Sequence, residues 1–285
     1  MKQKRDQGEF HHKRSLGQNF ITDDALFAQL VDLSNVGEGD AVLEIGAGAG
    51  GMTKELARRC REVTAIEVDG TLLPILRVAL EKYSNVQLVH GDVLRLNLPE
   101  LTAPMGDYHI VANIPYYLTT DLMNLLLSST MPIRSISLMV QKEAAQRMVA
   151  RPGEEGYGML SVKAQYFYDP AIVLDVPACL FTPSPKVDSA FVVMPRRSHP
   201  PVDARDEALF FKVAAAAFAM RRKTMENNLI ASFRIPRNQA QSLLAKCGVP
   251  EEARGETLSM NDFAALANAM KEAQEQDVFR MVMPS

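Results

Sequence analysis

From Asp40 to Met194, short runs of β-branched and apolar residues alternate with segments whose apolar residues return at helical spacing. A strand covered on both faces reads as an unbroken apolar run, and a parallel neighbour needs a crossover helix. The alternation therefore predicts an α/β fold around a largely parallel sheet. Seven strands are predicted, at 41–45, 63–68, 86–90, 109–112, 135–140, 171–176 and 187–194, with helices at 52–60, 71–82, 120–128, 142–150 and 160–166. Pro177, Pro183 and Pro185 forbid a crossover helix between the last two strands, so that pair is expected to be antiparallel. Ahead of the sheet, Asp23 or Asp24 caps a helix carrying Leu26, Phe27, Leu30 and Val31 on one face. After Ser198-His-Pro-Pro201 the strand pattern stops, and helices are predicted at 206–219, 224–232, 238–247 with Gly248 as the C-terminal cap, and 262–273.

The first strand runs into Glu44-Ile-Gly-Ala-Gly-Ala-Gly50-Gly51 directly before a helix. Glycines at 46, 48 and 50 permit a tight turn and let backbone N–H groups approach a ligand that side chains would block, which implies a nucleotide-like cofactor. A tight turn with no ligand is the alternative. Glu67 ends the second strand about 20 residues further on, where an acidic residue meets the ribose hydroxyls of a bound nucleoside. Asp92 ends the third strand, where a carboxylate suits an adenine amino group. Either carboxylate alone reads equally well as a cap or a surface group. Three consecutive strands that each present a suitable group at the ligand-binding end of an open sheet make a stronger pattern, one that leaves both NAD and S-adenosylmethionine open.

The fourth strand distinguishes them. It ends in Asn113-Ile114-Pro115-Tyr116-Tyr117. The N6 lone pair of adenine is delocalised into the ring, so the nitrogen is a poor nucleophile. The side-chain oxygen of Asn113 and the backbone carbonyl of Ile114 would accept its two hydrogens and turn the lone pair toward a methyl donor. Pro115 fixes the backbone and Tyr116 offers a ring on which a base stacks.

These pieces resemble the ribosomal RNA adenine N6,N6-dimethyltransferases that act on bacterial small-subunit RNA. The resemblance rests on Ser15-Leu-Gly-Gln18-Asn19-Phe20, the turn Glu44–Gly51, Glu67, Gly91-Asp92, Asn113–Tyr116 and the segment from Phe181 to Ser189. It continues through Phe218, Arg221–Thr224, Asn227–Leu229, Arg254–Glu256 and Leu258-Ser259. It implies a Rossmann-like, seven-stranded S-adenosylmethionine-dependent methyltransferase domain over residues 1–199, with a basic N-terminal arm, and a small all-helical domain over 200–285. It further implies that Gln18, Asn19 and the backbone of Ile21 close over the cofactor. Gly46, Gly48, Glu67, Asp92 and Asn113 would line its site, and Phe181 would stack on the target adenine opposite Tyr116. The family carries leucine where Ile21 stands, a change that a backbone contact tolerates.

A net charge of −3 argues against binding nucleic acid through overall charge. Phosphate contacts need only a local patch, and Arg221, Arg222 and Lys223 form one candidate, beside the basic arm and Arg196-Arg197. Three cysteines without CxxC spacing and five histidines without metal-ligand spacing predict neither a disulfide framework nor a metal site. Residues 1–15 are polar and basic, unlike a signal peptide, and the most apolar stretch, 210–220, is interrupted by Lys212 and too short to span a bilayer. The expectation is a cytoplasmic monomer whose partners are small-subunit ribosomal RNA and the pre-assembled small ribosomal subunit. Three rivals stand beside it. They are a large-subunit adenine methyltransferase of the antibiotic-resistance type, a DNA adenine methyltransferase, whose signature typically has two prolines where this chain has Ile114-Pro115, and a noncatalytic assembly or transcription factor on the same fold.

Overall fold

The computed structural model describes residues 20–21, 23–127 and 130–276. Its elements run in chain order as β1 (Phe20–Ile21), α1 (Asp24–Leu33), β2 (Ala41–Ile45), α2 (Gly51–Arg59), β3 (Glu62–Glu67), α3 (Leu73–Leu80), β4 (Val86–His90), α4 (Leu98–Thr102), β5 (Tyr108–Asn113), α5 (Thr119–Leu127), β6 (Ile133–Gln141), α6 (Lys142–Val149), α7 (Met159–Phe167), β7 (Ala171–Val176), β8 (Phe181–Thr182) and β9 (Ser189–Pro195). The helices α8 (Glu207–Ala219), α9 (Met225–Phe233), α10 (Arg237–Lys246) and α11 (Met260–Glu275) follow.

Seven of the strands join in the order β4-β3-β2-β5-β6-β9-β7. The pairs β2–β3, β2–β5 and β3–β4 are parallel. All five residues of β2 are buried, Glu44 included, as its mostly apolar run predicts for a strand covered on both faces. β7 and β9 are neighbours, and an antiparallel bridge between Tyr168 and Arg196 lies just outside them, in keeping with the proline-rich link that precludes a crossover helix. From β2 the chain steps outward to β3 and β4, then returns to add β5 on the other side of β2. That reversal opens a crevice at the carboxyl ends of β2 and β5, where open α/β sheets bind ligands.

The chain divides into two compact units. One holds the residues up to Ile133 with Ser137–Lys142 and Leu174–Phe191, and the other holds Arg134–Ile136, Glu143–Val173 and the residues from Val192 onward. In the second unit α7 shares a core with the four last helices. Tyr166 packs against Phe210 and Phe211 with ring centroids 4.9 and 4.8 Å away, and its hydroxyl donates to Glu207. Side-chain caps start three of these helices. Asp206 accepts from the Leu209 N–H, Thr224 from the Asn227 N–H, and Ser259 shares a capping box with Asp262.

Two features depart from the sequence pattern. β1 and β8 form a separate two-stranded antiparallel pair that no periodicity announces. The short helix α4 crosses from β4 to β5, where none was expected. Arg221, Arg222 and Lys223 form the turn between α8 and α9, ahead of the Thr224 cap.

Candidate active site

The site is built at the carboxyl ends of four adjacent strands. After Ile45 the chain turns through Gly46, Gly48 and Gly50, all at positive φ of 83°, 58° and 83°, a region that side chains other than glycine's rarely adopt. The Gly46 and Ala47 N–H groups donate to the Ile66 carbonyl, which holds the turn against the end of β3. A Cβ at Gly46 would stand 3.2 Å from the Asn113 carbonyl oxygen, and one at Gly48 would stand 3.3 Å from the Phe20 ring. The glycines thus let the turn close against β5 on one side and β1 on the other.

Glu67 is almost wholly buried at the end of β3. Its two carboxylate oxygens each accept one backbone N–H, from Gly48 and Asp69, both at 2.8 Å. Burial pushes its pKa up, and these N–H donors pull it back down. A carboxylate has about four acceptor positions, so the two N–H bonds orient the group and leave it able to accept two further donors from a ligand. Asp92, after β4, is more open. One of its oxygens accepts the Leu94 N–H at 3.0 Å, and Arg95 lies 3.4 Å from the other.

Glu44, inside β2, has no exposure, and neither of its oxygens nor the nearby Thr53 hydroxyl makes a formed hydrogen bond. Burial pushes its pKa up to about 8, with the Thr53 hydroxyl offsetting part of the effect and the charge of Glu67 adding to it.

β5 delivers Asn113, Ile114 and Pro115 to the crevice, and Tyr116 begins a 3₁₀ turn there. The Tyr116 hydroxyl pairs with the buried Ser189 hydroxyl at 2.8 Å, which fixes its ring. Phe181 reaches the same place from β8, held by the pairing of Ile21 with Phe181 and of Phe20 with Thr182. A cavity of about 250 Å³ results, lined by Gly46, Gly48, Glu67, Asp92, Asn113, Ile114, Pro115, Tyr116 and Phe181 among others. Ile21 lines an adjoining cavity of about 200 Å³ with Glu44 and Asn113.

Sequence reasoning gave a role to Ile21, Gly46, Gly48, Glu67, Asp92, Asn113, Ile114, Pro115, Tyr116 and Phe181, but none to Glu44, to Phe20, whose ring covers Gly48, or to Ser189, which anchors Tyr116. All three lie in motifs already quoted, but no local signal states whom they touch. Gln18 and Asn19 lie outside the described residues. Arg221, Arg222 and Lys223 are exposed on their turn in the second unit. The buried side chain of Asn228 holds that turn, accepting the Met220 N–H and donating to the Ala217 carbonyl. Among the described residues no group of three or more His, Cys, Asp or Glu could hold a metal ion, and no helix is long and apolar enough to cross a membrane.

A nucleoside-containing cofactor fits these groups: a glycine turn with close backbone approach, an oriented carboxylate with spare acceptor capacity, and a second carboxylate one strand further out. With an Asn-Ile-Pro-Tyr strand end facing the glycine turn, the fold and site define a Rossmann-like methyltransferase. Comparison with known proteins agrees. The sequence profile of the ribosomal RNA adenine dimethylase family matches residues 9–272. The chain is 42% identical over 268 residues to the ribosomal RNA small subunit methyltransferase A of Geobacillus thermodenitrificans, covering 92% of each. It is 41% identical to the protein of the same name from Shouchella clausii, covering 92% of this chain and 90% of that one. Among solved structures, the 23S rRNA methyltransferase ErmE superposes with a TM-score of 0.71 at 26% identity, over 89% of this chain and all (100%) of that one. A dimethyladenosine transferase from Plasmodium falciparum superposes with a TM-score of 0.75 over 90% of this chain and 98% of that one, and at 22% identity it speaks for the fold alone. The chain belongs to the ribosomal RNA adenine dimethylase family.

Proposed function

We propose that this chain transfers methyl groups from S-adenosylmethionine to N6 of adenines in small-subunit ribosomal RNA, dimethylating two adjacent bases during ribosome assembly in the cytoplasm. The observation that carries the reading is the meeting of Asn113 with the glycine turn at the switch point of the sheet, in a cavity that Tyr116 and Phe181 also line. The names of the bacterial relatives favour the small subunit as the RNA partner.

S-adenosylmethionine, when bound, supplies a methyl group already made electrophilic by the sulfonium charge. The protein's own contribution is therefore position and electrostatics. Glu67 accepts the ribose hydroxyls on the acceptor positions that Gly48 and Asp69 leave open. Asp92 would accept a hydrogen bond from the adenine amino group of the cofactor, and Gln18, Asn19 and the Ile21 backbone would close over it. Tyr116, held by Ser189, and Phe181 sandwich the extruded target base. The Asn113 side-chain oxygen and the Ile114 carbonyl accept the two N6 hydrogens and direct the lone pair toward the methyl group. A neutral amide holds a proton without removing it, so the N6 proton made acidic by transfer leaves to water. Arg221, Arg222 and Lys223 contact RNA phosphates.

The test is to incubate the chain with unmethylated small ribosomal subunits and isotope-labelled cofactor and map the label by mass. Label in N6,N6-dimethyladenosine of small-subunit RNA is expected. Label only in large-subunit RNA or duplex DNA, or none at all, overturns the reading.

A further inference from the structure

Tyr117 has no part in the chemistry above, yet it follows Tyr116 directly and lines the same cavity. Its exposure is 60%, and among the described residues it is the single aromatic side chain in the set of exposed large apolar residues. A residue that both lines a cavity and stands largely in solvent lies at its mouth. Its backbone is not loose. The 3₁₀ turn Tyr116–Leu118 is closed by the Leu118 N–H donating to the Pro115 carbonyl at 2.9 Å, and α5 starts at once with Thr119. Pro115 before it and a helix after it hold its backbone in place, and the exposed ring meets water with its apolar faces.

The other three rings that line the cavity are already committed. Phe20 lies against Gly48, Tyr116 is tied to Ser189, and Phe181 is buried. Extruding a base leaves one face of its sequence neighbour without a stacking partner. The RNA chain is continuous, so that neighbour must lie at the mouth of the cavity that receives the extruded base. An exposed ring on a fixed backbone in that position replaces the missing stacking, and it does so for any base, since every base has a π-face.

We propose that Tyr117 is a stacking platform for the nucleotide next to the target adenine, a substrate-positioning contact separate from the Tyr116–Phe181 sandwich. The proposal rests on the RNA-adenine reading above. Tyr117 thereby makes the site select an unpaired adenine whose neighbour is also free to leave a helix, and it stabilises the extruded state from outside the cavity.

The experiment is steady-state methylation of unmethylated small ribosomal subunits by wild type, Tyr117→Phe, Tyr117→Trp, Tyr117→Leu and Tyr117→Ala. Cofactor affinity and thermal midpoint serve as controls for folding. Phe and Trp variants are expected within about two-fold of the wild-type KM for the subunit, whereas Leu and Ala raise it about 5- to 150-fold, the range expected when one base stack is removed. The loss should sit in KM, with the single-turnover rate at saturating subunit retained. A photoreactive aryl azide at position 117 should crosslink to the nucleotide adjacent to the methylated adenine. A wild-type KM for Tyr117→Ala, restoration by Leu as an apolar protein contact would give, or a crosslink away from the target overturns the proposal while leaving the methylation reading intact. Absence of methyl transfer by the wild type removes both together.

Discussion

Asn113 lies at the end of β5, lines both cavities and faces the glycine turn through its own carbonyl. Asn113→Ala removes one preorganised acceptor and leaves Tyr116 and Phe181 to hold the base, so subunit binding should persist while methyl transfer slows. The loss of a single such group predicts a drop of about 100- to 1000-fold in the single-turnover rate at saturating cofactor. A near-wild-type rate would show that Asn113 does not act on N6. Glu44 makes a different prediction, one of stability. Unfolded, its carboxyl ionises near its ordinary value of 4.5, and folded near 8. Between those values the folded chain keeps a proton that the unfolded chain has lost. The stability present below pH 4.5 is therefore lost as pH rises toward about 8 and is not regained above it. Glu44→Gln fixes the neutral form, so its thermal midpoint should fall less than that of the wild type between about pH 5 and pH 8. Parallel declines in a calorimetric series would place the responsible proton elsewhere.

The antiparallel pair of β1 and β8 brings Phe181 to the cavity, and its effect can be read apart from the sheet. Phe181→Leu keeps an apolar side chain in the buried position but removes the ring that would cover the target base. The KM for small subunits should rise about 5- to 150-fold, as expected when one stacking ring is removed, with calorimetric cofactor affinity unchanged. Equal KM values would mean that Phe181 only fills space. This pair also marks the limit of what the sequence discloses. β2, β4 and β7 have the bounds that their apolar or alternating runs predict, and Gly46, Glu67, Asp92 and Asn113 were legible because each closes a strand whose order in the sheet follows from simple crossovers. A two-residue strand has no period to detect, and its partner lies far along the chain. The Tyr116–Ser189 bond is hidden for the same reason. α4 spans five residues, too few to show a helical period, and Pro99 sits in its first turn, where the missing N–H costs nothing.

At the scale of the whole chain, a negative total charge and an RNA substrate are reconciled by local placement. Arg221, Arg222 and Lys223 stand exposed on a turn whose two sides are fastened by Asn228. Replacing all three by Ala should weaken RNA binding irrespective of sequence and flatten its dependence on log salt by about 0.7 to 0.9 for each phosphate that a side chain no longer neutralises. Filter binding across a salt series would read this, and a slope equal to that of the wild type would leave the turn as a solvated surface. The sheet order carries a consequence for synthesis. The groups assigned to the cofactor on β2, β3, β4 and β5 lie in one stretch of sequence joined by short crossovers, whereas Phe181 and the strand opposite β1 are made much later. A chain emerging from the ribosome would therefore complete its nucleoside cradle first and its base clamp last, because local crossovers close before distant pairings. During that interval the nascent protein has the residues assigned to the methyl donor's nucleoside but lacks both the ring assigned to the target base and the strand that fixes Ile21.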